Sequence, residues 1–245
     1  MSGVWLDDEA GPCETADMII RTALAAVALT AAPLAGQAFP DTYAGRLDAL
    51  TETQRLQASL QSRDSATETL RLWCESHRWA QPAQIRAVRD AATVKAPTAQ
   101  VRTLLGAGAR TPIRYRRVRL MCADRVLSEA DNWYLPGKLT AEMNKALDQT
   151  DTPFGVAVKA LGFHRQAVES LLLLHPFDND PDTPPAAGGA PQTLRLPHVV
   201  IRNTAVLSTE AGGPFSVVVE SYTREALDPP SPDRQLGGEA LTPLK

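Results

Sequence analysis

Hydrophobic positions recur at helical spacing in several parts of the chain. Residues 43–62 carry leucines that repeat on or near one helical face, which predicts a helix. A second helix is predicted after Ser65, because Ser65 and Glu68 form a capping box ahead of an apolar side. Two shorter helices are predicted, one over 98–105 and ended by Gly106, the other beginning after the capping residue Thr140.

Other segments alternate or are rich in β-branched residues, which is typical of strands. We predict strands at 82–89 and 163–173, and hairpins over 114–136 and 198–224. The strands come in hairpins with helices between them, without a regular strand–helix alternation. This order predicts an α+β fold, an antiparallel β-sheet with helices packed on it.

Composition narrows the function. The 245 residues are 44% hydrophobic, and the formal net charge is −3. Nucleic-acid binders usually carry a basic excess, so we expect no nucleic-acid partner. There is no glycine-rich phosphate loop, and the histidines and cysteines show no metal-binding spacing. We therefore expect no metal and no cofactor.

The two ends of the chain and one internal loop differ from the rest. From Met18 the sequence has the charged, apolar and small-residue order of a signal peptide. We expect 1–38 to be an N-terminal extension with a signal peptide, 39–226 one domain with a Pro-rich loop at 176–197, and 227–245 a disordered tail. Cleavage would place the protein in the periplasm or outside the cell, without stable membrane insertion; otherwise it is cytoplasmic. Cys74 and Cys122 either pair or remain free buried thiols.

Two charged positions lie on predicted strands and need an explanation. In the first hairpin, Arg117 and Arg119 share one face, while Val118 is on the other. These arginines either bind a small anionic ligand or are solvated or paired with neighbouring acids. In the last strand, Glu220 interrupts a run of valines, and a buried carboxylate is costly unless it is paired. Glu220 is therefore either half of a buried Arg–Glu ion pair or part of a pocket where arginine holds an anion and the carboxylate handles a proton.

The arginine strand with its C-A-D turn, the D-T-P-F-G turn and the late strand bearing Glu220 resemble chorismate pyruvate-lyase over residues 65–222. The resemblance implies a cofactor-free elimination of pyruvate from chorismate, giving 4-hydroxybenzoate, in a monomer. It assigns Arg117 to carboxylate binding, Glu220 to catalysis, and Phe154 and Ala66 to the pocket wall. Ala66 is smaller than the family's methionine and Phe154 is large, which puts the ring substrate in doubt. Arg119 stands where known members have an apolar residue.

The region around the first hairpin is also similar to the effector-binding domain of GntR-type regulators, which shares the lyase fold and performs no chemistry. Those proteins place a winged-helix domain before the effector domain, and we expect residues 1–38 to be too short for one. The alternative to a lyase is therefore a stand-alone binding module. Its ligand would be a small anionic ring compound or an aromatic acid.

Overall fold

The computed structural model describes residues 38–177 and 192–229. Within them a six-stranded antiparallel sheet has the order β1-β2-β3-β6-β5-β4. The strands are β1 Ile85–Asp90, β2 Arg114–Cys122, β3 Arg125–Tyr134, β4 His164–Leu172, β5 Val199–Thr209 and β6 Gly213–Thr223. The helices are α1 Tyr43–Gln61, α2 Ala66–Ser76, α3 Ala99–Leu104, α4 Ala141–Gln149 and α5 Phe154–Ala157. The predicted α+β class with an antiparallel sheet is confirmed.

Side-chain caps fix where four of the helices begin, with Thr42 accepting from the Gly45 amide at the start of α1. Ser65, Thr98 and Thr140 each have an extended backbone, and each accepts a hydrogen bond from the amide three residues later. Such caps satisfy an amide that has no partner inside the helix. Helix α3 is followed by Gly106, whose φ of +62° is a left-handed conformation that favours glycine. These helix boundaries agree with those expected from the sequence.

The two faces of the sheet pack against different layers. Val118 and Leu120 belong to the main core, with Leu56 of α1 and Leu70 of α2. On the opposite face a smaller cluster lies beneath α3 and consists of Val101, Leu105, Trp133, Leu135, Val206 and Val217. Because side chains alternate along a strand, even-numbered residues of β2 face α1 and α2. Odd-numbered residues of β2 face the α3 side.

A disulfide joins helix α2 to strand β2. Cys74 and Cys122 are bonded, with their Cα atoms 6.1 Å apart, and both residues are fully buried. The question of pairing, which the sequence left open, is answered in favour of a bond. The bridge holds two elements that line the cavity described below.

The described chain extends past the predicted domain end at Ala226. Leu227 is buried, and Asp228 accepts hydrogen bonds from Trp79 and Arg125. The predicted signal peptide, most of the Pro-rich loop and the remainder of the tail lie outside the described residues. Among the residues that are described, no helix combines the length and apolar character needed to cross a membrane.

Candidate functional site

A cavity of about 570 Å³ lies between the start of helix α2, helix α5 and the face of the sheet that packs against α1 and α2. Its volume is within the range typical of small-molecule sites. Most of its wall is apolar and consists of Ala66, Val118, Leu120, Ala130, Phe154, Val156, Phe163, Leu207 and Val218. Polar groups come mainly from the start of α2 and from Arg116, Asn132, Lys159, Arg165 and Glu220.

Arg116 is the most unusual residue in this wall. It is only 5% exposed, and its Nη2 donates a hydrogen bond of 3.0 Å to the carbonyl of Thr150. Its Nε and Nη1 are buried and have no hydrogen-bond partner among the described residues. Burial lowers the pKa of Arg116, and the charge of Arg89 acts in the same direction. A guanidinium remains charged in proteins, so the cavity wall contains a cation with two nitrogen atoms, Nε and Nη1, that donate to none of the described residues.

Arg117, which the lyase resemblance assigned to carboxylate binding, does not line the cavity. It lies on the opposite face of the sheet, where it pairs with Glu129 at 2.6 Å and with Asp131 at 3.0 Å. The expectation that Arg117 and Glu220 share a pocket is therefore wrong. The physical reason is the two-residue repeat of a strand, which puts Arg116, and not Arg117, on the face of Val118. Arg119 is exposed and also lies outside the cavity wall.

Glu220 does lie at the cavity, and it is part of a buried ion pair. Arg165 of β4 donates from Nη2 to the Glu220 Oε2 at 2.6 Å, and both side chains are less than 10% exposed. The Tyr222 hydroxyl donates to the same oxygen at 2.9 Å. The first alternative drawn from the sequence, a buried Arg–Glu ion pair, is therefore found, and the pair forms part of the wall of a cavity. The arginine in the pair is Arg165.

The other two predicted pocket residues lie where they were expected. Ala66 is the first residue of α2, and Phe154 is the first residue of α5; both line the cavity. The Phe154 ring contacts Tyr134 and is stacked on Phe215, with ring centroids 5.4 and 6.4 Å away. These contacts fix the ring that closes one side of the cavity.

Two functional candidates were missed by sequence reasoning. Arg116 had a usable signal, because strict alternation places it with Val118 and Leu120. Arg165 had none, because β4 is largely exposed and its pairing with β5 is irregular between Ala167 and Glu169. Within the described ranges, no group of three or more His, Cys, Asp or Glu side chains is arranged to hold a metal ion.

Comparison with curated proteins identifies a close relative. The uncharacterized protein y4mC of Sinorhizobium fredii is 43% identical over 225 residues, which cover 88% of this chain and 94% of y4mC. The chain belongs to the y4mC family. No protein-family model matches it.

Solved structures that overlap this chain include regulators of the GntR type. The possible transcriptional regulator YydK of Bacillus subtilis is 16% identical, covers 60% of this chain and 62% of YydK, and has a TM-score of 0.35. The effector domain of PhnF from Mycobacterium smegmatis is 11% identical over 66% of this chain and 90% of that domain, with a TM-score of 0.39. Likenesses of this size carry no conclusion about function.

Proposed function

We propose that this protein binds a small organic acid with an apolar, preferably aromatic, ring. The observation that carries the proposal is Arg116, a buried guanidinium on an apolar cavity with two nitrogen atoms that have no partner among the described residues. Buried polar groups are nearly always hydrogen-bonded. A ligand carboxylate would supply the missing acceptors, and charge-assisted hydrogen bonds of this kind are among the strongest in proteins.

The charges of the wall favour a ligand with one acidic group. The Arg165 charge is matched by Glu220 at 2.6 Å, whereas Arg116 forms no ion pair with a described residue. Arg116 is thus the buried cation left for the ligand to neutralise, while Lys159, which also lines the cavity, is exposed to solvent. The apolar side chains around it would pack against a ring, as in most small-molecule sites. Benzoate and 4-hydroxybenzoate have this combination, whereas chorismate carries two carboxylates.

Titration calorimetry with benzoate and 4-hydroxybenzoate tests the proposal. Replacing Arg116 by Gln should weaken binding by about ten- to a hundredfold, since a hydrogen bond to a charged group contributes roughly 1.5–3 kcal/mol. The matched control is Arg119→Gln on the same strand, because Arg119 is exposed and does not line the cavity. Equal affinity in the Arg116→Gln variant, or no binding of either acid by the wild type, would overturn the proposal.

A second candidate is the elimination of pyruvate from chorismate, with Arg116 in the carboxylate-binding role that the resemblance gave to Arg117. The observation that favours it is Glu220, a carboxylate on the same cavity. The reaction makes the ring aromatic, so it needs orientation and one group that handles a proton. Pyruvate release from chorismate by the purified protein is the assay. Glu220→Gln should lower turnover by about 10²–10⁴-fold, the usual contribution of a general acid or base.

The compartment bears on the choice between these two functions. We propose that the protein is exported, on the strength of the signal-like sequence before Phe39 and of the Cys74–Cys122 bond. Disulfides persist mainly in oxidising compartments, whereas chorismate is a cytoplasmic metabolite. Export therefore supports a binding module over a lyase. N-terminal sequencing of the protein from its native host tests the proposed export, and we expect the mature chain to begin near Phe39.

A further inference from the structure

A row of polar side chains runs from helix α1 across three strands to Glu220. Gln57 donates to the Ser170 hydroxyl at 2.9 Å, and Ser170 donates to the Asn203 side-chain oxygen at 2.7 Å. Asn203 lies directly opposite Glu220 on the neighbouring strand, and the Tyr222 hydroxyl donates to the Glu220 carboxylate at 2.9 Å. The members come from α1, β4, β5 and β6 in turn. The row ends on the carboxylate that lines the cavity.

The inner part of this row is buried, and its hydrogen-bond directions are fixed. Tyr222 is fully buried and Asn203 is 3% exposed. Burial, together with the charge of Glu220, raises the pKa of Tyr222 well above its ordinary value, so the phenol keeps its proton. A protonated Tyr222 donates to Glu220, and the Asn203 side-chain oxygen accepts from Ser170. A carboxylate held in this way has little freedom to rotate.

We infer that Asn203 and Tyr222 are positioning residues, which together with Arg165 hold the Glu220 carboxylate in one orientation at the cavity wall and link it to helix α1. The inference rests on the proposed function. Oε2 of Glu220 accepts from both Arg165 and Tyr222. The remaining oxygen is then the acceptor for a hydroxyl or amino group on the ligand. The ligand class is thereby narrowed to ring acids that carry a hydrogen-bond donor away from the carboxylate.

The test compares how strongly each variant prefers 4-hydroxybenzoate over benzoate, because this ratio isolates the ligand hydroxyl from the ring and the carboxylate. Tyr222→Phe should lower the preference by roughly three- to tenfold, the effect of one misplaced hydrogen bond. Ser170→Ala should shift it in the same direction by less. The matched control is Tyr115→Phe, since Tyr115 also donates to a carboxylate, that of Asp131, but on the other side of the sheet. The control should keep the wild-type ratio.

Crystal structures of the wild type and of the Tyr222→Phe variant show the conformation of the Glu220 side chain directly, without a ligand. The Glu220 side chain should adopt another rotamer, or several, in the variant. An unchanged Glu220 would overturn the inference, as would an unchanged ligand preference in a folded Tyr222→Phe protein. An unchanged ligand preference in the Ser170→Ala variant would mean that helix α1 has no part in holding Glu220. If the wild type binds neither acid, the proposed function fails, while the crystal structures still decide whether Tyr222 positions Glu220.

Discussion

Arg116 and Glu220 project from the same face of the sheet, with one strand, β3, between them. Both β2 and β6 pair with β3, where Arg116 lies opposite Asn132 and Glu220 lies opposite Ala130. Asn132 and Ala130 are two residues apart on β3, so both side chains lie on the face of the sheet that packs against α1 and α2. A cation with free donors and a carboxylate with fixed orientation therefore line one apolar cavity. This relationship, and not any single motif, is the basis for proposing a binding site.

The neighbouring Arg117 should matter for stability and not for ligand binding. Its side chain is 18% exposed and is surrounded by Glu129, Asp131 and, at 3.6 Å, Asp90. Arg117→Met should lower the free energy of unfolding by roughly 2–4 kcal/mol, because removing one partner leaves partly buried carboxylates uncompensated. Urea unfolding measures the loss, and titration with 4-hydroxybenzoate should show an unchanged affinity. A large loss of affinity for 4-hydroxybenzoate in a folded Arg117→Met variant would mean that Arg117 contributes to ligand binding.

The contrast between Arg116, which lines the cavity, and Arg117, which does not, shows what could and could not be predicted from the sequence. Strand alternation puts Arg117 and Arg119 on one face, and the resemblance predicts that Arg117 binds the ligand. The same alternation puts Arg116 with Val118 and Leu120, so the arginine that lines the cavity is predictable from the local pattern. The fold class and the helix caps were predictable because they depend on residues close in sequence.

The partner of Glu220 could not be predicted in the same way. Glu220 was recognised because a carboxylate among valines is costly without a partner. Arg165, however, lies 55 residues earlier on another strand, and the two meet only through the register of three strands. Registers between distant strands depend on the packing of the whole sheet, which no local pattern encodes. The cavity beside the pair depends on the same packing.

Asp131 should make stability depend on pH in the acid range. Burial of Asp131 acts to raise its pKa, but hydrogen bonds from Lys95 and Tyr115 act against it, and the pKa lies below its ordinary value. A carboxyl group with a lowered pKa in the folded state stabilises the protein above its unfolded pKa of about 3.9. This contribution is lost as the pH falls through the lower, folded value.

The measurement is urea unfolding at pH 7 and at successively lower pH below 4. The Asp131→Asn variant should lose stability at pH 7 and should show a weaker decline on acidification than the wild type. Asp48→Asn is the control, because Asp48 is an exposed carboxylate of helix α1. If Asp131→Asn and the wild type decline in parallel, Asp131 is not a source of the acid sensitivity.

The disulfide should contribute strongly to stability. It closes a loop between residues 48 positions apart, and the chain-entropy relation gives roughly 4 kcal/mol for a loop of this length. A Cys74→Ala/Cys122→Ala double variant should therefore be less stable by about 2–5 kcal/mol in urea unfolding. Adding a reducing agent should destabilise the wild type and leave the double variant unchanged. Equal stability of oxidised and reduced wild type would contradict the prediction.

The Arg165–Glu220 pair should show strong energetic coupling. Both side chains are less than 10% exposed, so removing one partner leaves a buried charge without its counterion, at a cost of roughly 3–5 kcal/mol. Arg165→Met and Glu220→Met should each be severely destabilising, while the double variant should lose less than the sum of the two, with a coupling of about 0.5–3 kcal/mol.

Arg71→Met provides the contrast, since Arg71 pairs with Glu68 and Glu75 on the exposed side of α2. Solvent screens such pairs, so its unfolding curve should overlay that of the wild type. Additive losses for the Arg165 and Glu220 variants would mean that the two side chains do not form the ion pair in solution, and Glu220 would then lack its anchor at the cavity.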